Sequence, residues 1–457
     1  MVPGRTSFLT TPLANALEIL PKPVNHVQGD LIRQALLNEI LLIRGPPGTG
    51  KTYFIKALVH ALLNNTRIEQ VHIITPSNVN ADEIARELDD QGLSVIRETA
   101  STHPAIAHLT PLHHVEQHPD YQRKLARIHQ KYGGDELESF RFPKIQALQR
   151  RFIIKVSEEI QVIVTTSMFG SHHHLKHTRA QGVIIDECGR MTEAEAIMAI
   201  TDSCEKLIVV GDPRQIGPIT YDEEAARKGL KLTLLDRLSA NGFTSGTLLY
   251  QYRMSTPLMN LINHVFYADT QLIQGLKEPD LARNWSTYSD FVPNPIMFIN
   301  VQGKEESTKS HSIYNIDEVN VTYRVVEEFR RNGKNAKGTT IMTGYHAQSA
   351  EIRKRCKNDY PCKVTTIDAM QGLESDVILV SLVRADSKSI GFLADKGRQC
   401  VLLSRAKTCM ILVGNLDVFA KANESWKHIG DYLYDNGFVY EANNVVLKKL
   451  KKRMKSW

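Results

Sequence analysis

The chain has 457 residues, of which 42% are hydrophobic and 23% charged, and this composition predicts a globular protein of two large domains with an insertion. The net charge of +6 permits a polyanionic partner but does not require one. No apolar run is long enough to span a membrane, and the amino terminus lacks the apolar core of a signal peptide. The six cysteines form no Cys-x-x-Cys pair, which argues against a zinc module or a disulfide framework and predicts an intracellular location, in the cytoplasm or the nucleus.

A first α/β domain is predicted over residues 25–250, after a lead of residues 1–24. Its short apolar runs alternate with longer amphipathic segments, which is the pattern of a parallel sheet covered by helices on both faces. Its predicted strands lie at residues 40–43, 71–75, 162–165, 183–185 and 207–210. Residues 100–158 contain no convincing strand, so we predict a helical insertion there.

A glycine-rich motif, Gly-Pro-Pro-Gly-Thr-Gly-Lys-Thr, follows the first predicted strand and precedes a predicted helix, which is the order that a phosphate-binding loop needs. The glycines allow N–H groups to turn toward a polyphosphate, and the helix N-terminus adds partial positive charge. Lys51 can reach the β- and γ-phosphates of ATP, and the Thr52 hydroxyl can ligate Mg²⁺. The predicted nucleotide-binding residues of this loop are Gly45, Pro46, Pro47, Gly48, Thr49, Gly50, Lys51 and Thr52.

Two acids, Asp186 and Glu187, end another predicted strand of this domain. Asp186 can hold Mg²⁺ through water, and Glu187 can polarise the attacking water as a general base. Gln215 follows the strand at residues 207–210, so we expect it at the carboxyl edge of the sheet, where ligands of such sheets bind. Together with the glycine-rich loop, these residues predict a site that hydrolyses ATP.

Three polar segments have more than one interpretation. In the insertion, one face of a predicted helix carries the basic residues Arg123, Arg127 and Lys131. This face is either exposed to solvent or in contact with nucleic acid. The histidines at residues 172–174 and His177 are more typical of a polar loop than of a metal patch, because three consecutive histidines cannot all face one ion. The basic tail at residues 443–457 is a nuclear address, a phosphate-binding tail or a solvated end.

A second α/β domain is predicted over residues 251–442, with strands at residues 339–343, 377–382 and 410–413. The motifs of both domains resemble those of superfamily 1 helicases of the up-frameshift type, over about residues 24–440. The matching segments are Asn25 with Gln28, and residues 75–78, 251–254, 343–348, 368–376 and 398–407. The resemblance implies two tandem RecA-like P-loop domains, ATP hydrolysis with Mg²⁺, and 5′-to-3′ movement on single-stranded RNA or DNA.

The resemblance also implies roles for individual residues. The implied nucleotide-binding residues outside the glycine-rich loop are Gln28, Tyr252, Gly372 and Glu374. The implied catalytic residues are Glu187, Gln215, Arg253 and Arg405. The implied nucleic-acid-binding residues are Pro76, Ser77, Asn78, Thr166, Thr343, Tyr345 and Gln348. Gln28 would read adenine and Tyr252 would stack on it. Arg253 would contact the γ-phosphate, and Arg405 would act as an arginine finger.

These implied roles agree with the chemistry of phosphoryl transfer, which needs neutralisation of charge more than covalent catalysis. Lys51 and Glu187 belong to the first predicted domain, whereas Arg253 and Arg405 belong to the second. We therefore expect bound ATP to hold the two domains together. After hydrolysis the domains can separate and close again further along a nucleic-acid strand.

The sequence departs from the family pattern at several places. Arg190 stands where family members carry glutamine; it either grips the γ-phosphate or turns outward to pair with an acid such as Glu193. Cys400 and Ser404 replace an asparagine and a threonine of the last motif, and only Ser404 keeps a comparable polar group. With about 24 residues before Asn25, we expect no counterpart of the cysteine/histidine-rich domain and β-barrel that precede the core in the nonsense-mediated decay helicases.

Two functions other than a motor are also compatible with these motifs. An ATP-gated RNA-binding clamp that hydrolyses slowly and acts through partners is favoured by Arg190. A P-loop ATPase that serves as a regulatory module would not need the segments at residues 75–78 and 343–348, because they have no purpose in ATP binding alone. The expected partner is single-stranded nucleic acid, with no membrane.

Overall fold

The computed structural model describes residues 9–10, 12–99, 103–132, 138–169, 175, 178–198, 200–220, 222–290, 292–333, 338–356, 362–370, 372–385 and 389–442. The basic tail and the histidines at residues 172–174 and 177 lie outside the described residues.

The chain divides into two compact units. The first unit comprises Met1–Gly45, Gly50–Pro213 and Gly217–Leu248. The second unit comprises Pro46–Thr49, Arg214–Ile216 and Leu249–Trp457.

The first unit is built on a parallel sheet of seven strands, in the order β3-β4-β2-β5-β6-β1-β7. These strands are β1 (Ile40–Arg44), β2 (Val71–Thr75), β3 (Val95–Glu98), β4 (Val162–Thr166), β5 (Gly182–Ile185), β6 (Lys206–Gly211) and β7 (Ser245–Thr247). The central strands are buried along their whole length, which is why they are continuous apolar runs in the sequence. The strands predicted at residues 40–43, 71–75, 162–165, 183–185 and 207–210 are confirmed.

The helices of the first unit are α1 (His26–Leu37), α2 (Lys51–Asn65), α3 (Asn78–Asp90), α4 (Pro111–Gln117), α5 (Pro119–Lys131), α6 (Glu138–Glu159), α7 (Glu193–Ile197), α8 (Glu223–Ala225) and α9 (Leu234–Ala240). Helices α4, α5 and α6 form the helical insertion that the sequence predicts. A small apolar cluster that includes Val115, Tyr121 and Phe152 joins these three helices to Ile96 of β3. Apolar side chains pack on both faces of the sheet, in two larger clusters.

The second unit is built on a parallel sheet of six strands, in the order β14-β13-β15-β16-β10-β17. The strands of this unit are β8 (Tyr250–Gln251), β9 (Ile273–Gln274), β10 (Ile296–Asn300), β11 (Glu306–Ser307), β12 (Ile313–Tyr314), β13 (Thr339–Thr343), β14 (Lys363–Thr366), β15 (Ser375–Ser381), β16 (Ala406–Gly414) and β17 (Val439–Glu441). The strands predicted at residues 339–343, 377–382 and 410–413 are therefore confirmed.

The helices of the second unit are α10 (Thr256–Val265), α11 (Glu278–Ser286), α12 (Ile316–Arg331), α13 (His346–Cys356), α14 (Lys396–Leu403), α15 (Leu416–Ala422) and α16 (Glu424–Asp435). Two apolar clusters again cover the two faces of the sheet. The protein thus has the predicted α/β class, with two parallel sheets.

A buried lysine secures the end of α1 in the first unit. Lys206 Nζ donates to the carbonyl oxygens of Ala35, Leu36 and Asn38 at 3.1, 2.9 and 2.9 Å. Burial lowers the pKa of Lys206 to about 8, against the attraction of Glu39 and Glu205. The ammonium therefore satisfies carbonyl groups that the helix end leaves without internal partners.

We expect Lys206→Met to lower the free energy of unfolding by about 2 kcal/mol or more, because it leaves buried carbonyl oxygens without a donor. The measurement is urea unfolding, with Lys228→Met at an exposed position as the matched control. Since the folded pKa lies below the ordinary value of about 10.4, the unfolded chain binds more protons between these pH values. The lysine's contribution to stability then rises with pH across that window. An unchanged unfolding midpoint would contradict this role.

Candidate functional site

The glycine-rich loop lies between β1 and α2 in a shape that requires glycine. Gly48 and Gly50 have φ angles of +74° and +76°, in the left-handed region that other residues rarely adopt. A Cβ atom on Gly45 would lie 2.4 Å from the Lys51 side chain, so that position has no room for one. The Thr49 hydroxyl donates to the Pro46 carbonyl at 2.8 Å, which braces the turn. This is the backbone form that presents N–H groups to phosphate.

Lys51 meets the acidic strand end of the first unit. Its Nζ donates to the Gly45 carbonyl at 2.9 Å and lies 3.4 Å from Oε1 of Glu187. Thr52 follows on α2 and is half-buried. The fold therefore brings together a cation and an acid that are separated by more than a hundred residues in the sequence.

Asp186 and Glu187 follow β5 at a strained bend. Glu187 has φ 51° and ψ 35°, a left-handed conformation that is uncommon for a residue with a side chain, and its N–H donates to Asp186 Oδ1 at 2.8 Å. Burial, followed by the charge of Glu187, raises the pKa of Asp186 to about 7, whereas Lys51 opposes this shift. A buried carboxylate with a raised pKa gains from a cation, and carboxylate and hydroxyl oxygens are ligands that suit Mg²⁺. Asp186 and Thr52 therefore fit the predicted metal.

Gln28 lies beside the glycine-rich loop at the start of α1. It forms a capping box with Asn25, in which Gln28 Oε1 accepts from Asn25 N at 3.2 Å and Asn25 Oδ1 accepts from Gln28 N at 2.9 Å. Its Nε2 lies 3.6 Å from the point that a Cβ on Gly50 would occupy. The capping box thus fixes the orientation of the Gln28 amide next to the loop.

In the second unit, Arg253 connects three of the predicted motifs. Its Nε donates to Glu374 Oε2 at 2.6 Å and its Nη1 to the Ser404 carbonyl at 3.2 Å. Lys407 Nζ lies 2.8 Å from the other oxygen of Glu374. Burial raises the pKa of Glu374, but Arg253 and Lys407 outweigh it and hold that pKa below its ordinary value. Gly372, two residues before Glu374, is exposed and has a φ of +85°.

Tyr252 and Arg405 occupy different environments in the same unit. The Tyr252 side chain is 41% exposed, and its N–H donates to the Gly48 carbonyl at 2.7 Å. Arg405 is only 2% exposed, and its Nη2 donates to Gln215 Oε1 at 2.8 Å. Arg405 Nε also donates to the Val401 carbonyl at 3.2 Å. The structure therefore joins two predicted catalytic residues directly.

The predicted strand-binding residues of the first unit share one sheet edge. Thr75 and Thr166 are paired in register at the carboxyl ends of β2 and β4. Pro76 and Ser77 follow Thr75 and lead into α3, whose first residue, Asn78, is exposed. Adjacent parallel strands thus bring these residues to one edge.

The corresponding residues of the second unit are mostly buried. Thr343 ends β13 in the interior, and Gln348 is fully buried, with its Nε2 donating to Ser381 Oγ at 2.7 Å. Tyr345 is half-buried, and its ring lies 5.0 Å from that of Phe392, centroid to centroid. Of the three predicted residues, only Tyr345 reaches the surface.

The buried network around Gln348 contains an acid that sequence reasoning missed. Glu318 of α12 is fully buried, and its Oε2 accepts from Ser381 Oγ at 2.7 Å and from the Val383 N–H at 2.8 Å. Burial raises the pKa of Glu318 to about 8, although these hydrogen bonds oppose the shift. Asn315, which caps α12, donates from its N–H to Gln348 Oε1 at 2.8 Å. Nothing in the spacing of these residues marks them as partners.

The departures from the family pattern have distinct surroundings. Arg190 ends a short 3₁₀ turn and is half-buried, whereas the Glu193 carboxylate accepts from Nε of Arg237. Cys400 is buried, and its Sγ lies 3.6 Å from the Tyr267 hydroxyl. The Ser404 hydroxyl donates to the Val401 carbonyl oxygen at 3.4 Å. Glu193 thus has another arginine as its partner.

All six cysteines are free thiols. Within the described part of the chain, no cluster of three or more His, Cys, Asp or Glu side chains could hold a metal ion. None of the described helices combines the length and the apolar character that crossing a membrane requires.

Comparisons with known proteins cover most of the chain. Two family models, each described as an AAA domain, match residues 28–220 and 230–417. The regulator of nonsense transcripts 1 homolog of Neurospora crassa is 29% identical, over 92% of this chain and 39% of that protein. The homolog from Arabidopsis thaliana is 32% identical, over 87% of this chain and 33% of that protein. The ATP-dependent helicase upf1 of Schizosaccharomyces pombe is 28% identical, over 97% of this chain and 50% of that protein.

The chain spans half or less of the length of these relatives. The two domain matches follow one another along the chain, and the glycine-rich loop and the acidic strand end lie within the first match. Over most of its length the chain is therefore similar to the regulators of nonsense transcripts 1 and to the ATP-dependent helicase upf1, which agrees with the resemblance that its motifs predict.

Proposed function

We propose that this protein is an ATP-dependent helicase or translocase that moves 5′-to-3′ along single-stranded RNA or DNA. The observation that carries the proposal is the meeting of Lys51 with Glu187 at 3.4 Å, beside a loop whose glycines adopt left-handed conformations. A cation for the phosphates and a base for water are the two groups that hydrolysis of ATP needs at one place.

In the nucleotide site, each group has a separate task. Backbone N–H groups of the loop and Lys51 bind the phosphates, and Gln28, fixed by its capping box, reads adenine. Thr52 and Asp186 would hold Mg²⁺, and the bound ion would neutralise phosphate charge. Glu187 takes the proton of the attacking water.

The family resemblance assigns proposed roles to three residues of the second unit. Tyr252 is exposed enough to stack on a base. Arg253 and Arg405 neutralise charge that develops on the transferred phosphoryl group. The hydrogen bond to Gln215 holds the Arg405 guanidinium in one orientation.

The strand contacts are proposed to follow the exposed parts of the predicted segments. Asn78, with the half-buried Pro76 and Ser77, contributes the edge of the first sheet, and Tyr345 contributes an aromatic face in the second unit. Thr166 is buried, so its proposed role is to position that edge and not to contact the strand directly. Because Thr343 and Gln348 are buried, we assign them the positioning of Tyr345 and its loop rather than direct contact. Contacts of this kind track the backbone and carry little sequence preference.

The test is ATP turnover with and without single-stranded RNA or DNA, followed by unwinding of duplexes that carry a 5′ or a 3′ overhang. Strand-stimulated turnover with unwinding from 5′ overhangs is the expected result. Turnover that no strand stimulates would refute the proposal. Tight ATP-dependent strand binding without unwinding would favour the clamp instead.

Arg190 is the observation that favours the clamp. Arginine has donors only, so it cannot accept a hydrogen bond from the attacking water as glutamine would. We expect Arg190→Gln to speed hydrolysis by about threefold to tenfold, because glutamine can orient the attacking water. The same substitution should weaken ATP binding, because it removes a positive charge that is proposed to bind the γ-phosphate. Steady-state turnover and ATP titration measure the two effects. A fall in turnover would show that arginine is the better catalyst.

A further inference from the structure

We propose that Arg97, a buried arginine of β3, is a positioning residue that turns the side-chain NH₂ group of Asn78 toward the bound strand. The inference rests on the proposed function, because it assigns the chemistry of one contact at the strand-binding edge of the first unit. It predicts that Asn78 recognises acceptor atoms, which are phosphate or ribose oxygens.

The contacts of Arg97 are directed at the start of α3. Its side chain is fully buried, and its Nη2 donates to Asn78 Oδ1 at 2.9 Å. Its Nε donates to Asp82 Oδ1 at 2.7 Å, and its Nη1 donates to the backbone carbonyl of Glu98. The rigid fork of one guanidinium thus holds two side chains one helical turn apart.

Stability alone does not explain why Arg97 is buried, because removing a guanidinium from water costs free energy. Burial lowers the pKa of Arg97 even though its hydrogen bond to Asp82 and the charges of Asp82 and Glu98 oppose the shift. Asp82 by itself balances the charge. The bond to Asn78 adds no charge compensation, yet it fixes the orientation of an exposed side chain.

The orientation follows from donor and acceptor chemistry. A guanidinium has donors and no acceptor, so the atom of Asn78 that faces Arg97 is the amide oxygen. The amide nitrogen, with two donors, then lies on the opposite side of the planar group. Asn78 follows Pro76 and Ser77 at the sheet edge where Thr75 pairs with Thr166. A flipped amide would present its oxygen to phosphate and repel it.

The test compares Asn78→Asp with the matched control Asn80→Asp, which makes the same charge change two residues further along α3. The carboxylate keeps the acceptor for Arg97, so the melting temperature should stay the same or rise. Affinity for a labelled 20-nucleotide single strand, measured by anisotropy without nucleotide, should fall about tenfold or more for Asn78→Asp. Asn80→Asp should change it less than threefold. Equal affinities for the wild type and Asn78→Asp would overturn the proposal.

A double-mutant cycle separates positioning from simple structural support. Arg97→Lys keeps a charge beside Asp82 but loses the fork, so we expect weaker strand binding with unchanged strand-independent ATP turnover. In an Asn78→Ala background, Arg97→Lys should cause no further loss of affinity. If the losses add, Arg97 does not act through Asn78 and the inference is wrong. A wild-type protein that binds no strand would instead refute the proposed function itself.

Discussion

Replacing Glu187 with glutamine is expected to lower ATP turnover by about 10³-fold while ATP still binds, within the range that general-base catalysis contributes. Glutamine has nearly the same size, so the bend after β5 should persist. Its amide cannot take a proton from water. Asp186 stays in place as the proposed ligand of Mg²⁺, and Lys51 keeps its bond to the Gly45 carbonyl. The variant should therefore lose ATP hydrolysis and keep ATP binding.

The measurement is steady-state turnover at saturating strand, with ATP affinity taken from equilibrium titration. Glu193→Gln is the matched control, because this acid lies on α7 and pairs with Arg237. That control should keep turnover within about twofold of the wild type, as expected for a partly exposed pair. Turnover of Glu187→Gln at the wild-type rate would show that another residue is the base.

Replacing Arg405 with alanine is expected to cost about 10³-fold or more in turnover, the scale of an arginine finger. The guanidinium is buried and hydrogen-bonded to Gln215, so it is held in one geometry. Arg405→Lys should recover only a small part of the loss, because an ammonium keeps the charge but not the planar fork. Loss of the fork also leaves the Gln215 amide oxygen without this donor.

Strand binding without nucleotide distinguishes a catalytic role from a phosphate contact. The affinity of Arg405→Lys for a single strand should stay within about threefold of the wild type, since the proposed role of the arginine concerns ATP. Arg331→Lys, at an exposed position of α12, is the matched control for the substitution itself. Equal and large losses of turnover and strand affinity would reassign Arg405 to the bound strand.

The sequence by itself determined the features that depend on short contiguous segments. The glycine-rich loop was predictable because its left-handed glycines, its lysine and its threonine are neighbours in the chain. The central strands were predictable because strands buried on both faces are continuous apolar runs. Strand β3 was not predicted, since Arg97 and Glu98 make half of it charged although both side chains are buried.

Only the tertiary structure decided which distant polar groups meet. Arg405 and Gln215 are 190 residues apart and Arg253 and Glu374 are 121 apart, and no local pattern encodes such pairings. The burial of Gln348 likewise depends on the side chains that pack around it, which the motif does not encode, and the sequence therefore predicted this residue as a nucleic-acid contact. Spacing along a chain fixes local geometry, whereas the environment of a polar side chain is set by elements that the fold brings beside it.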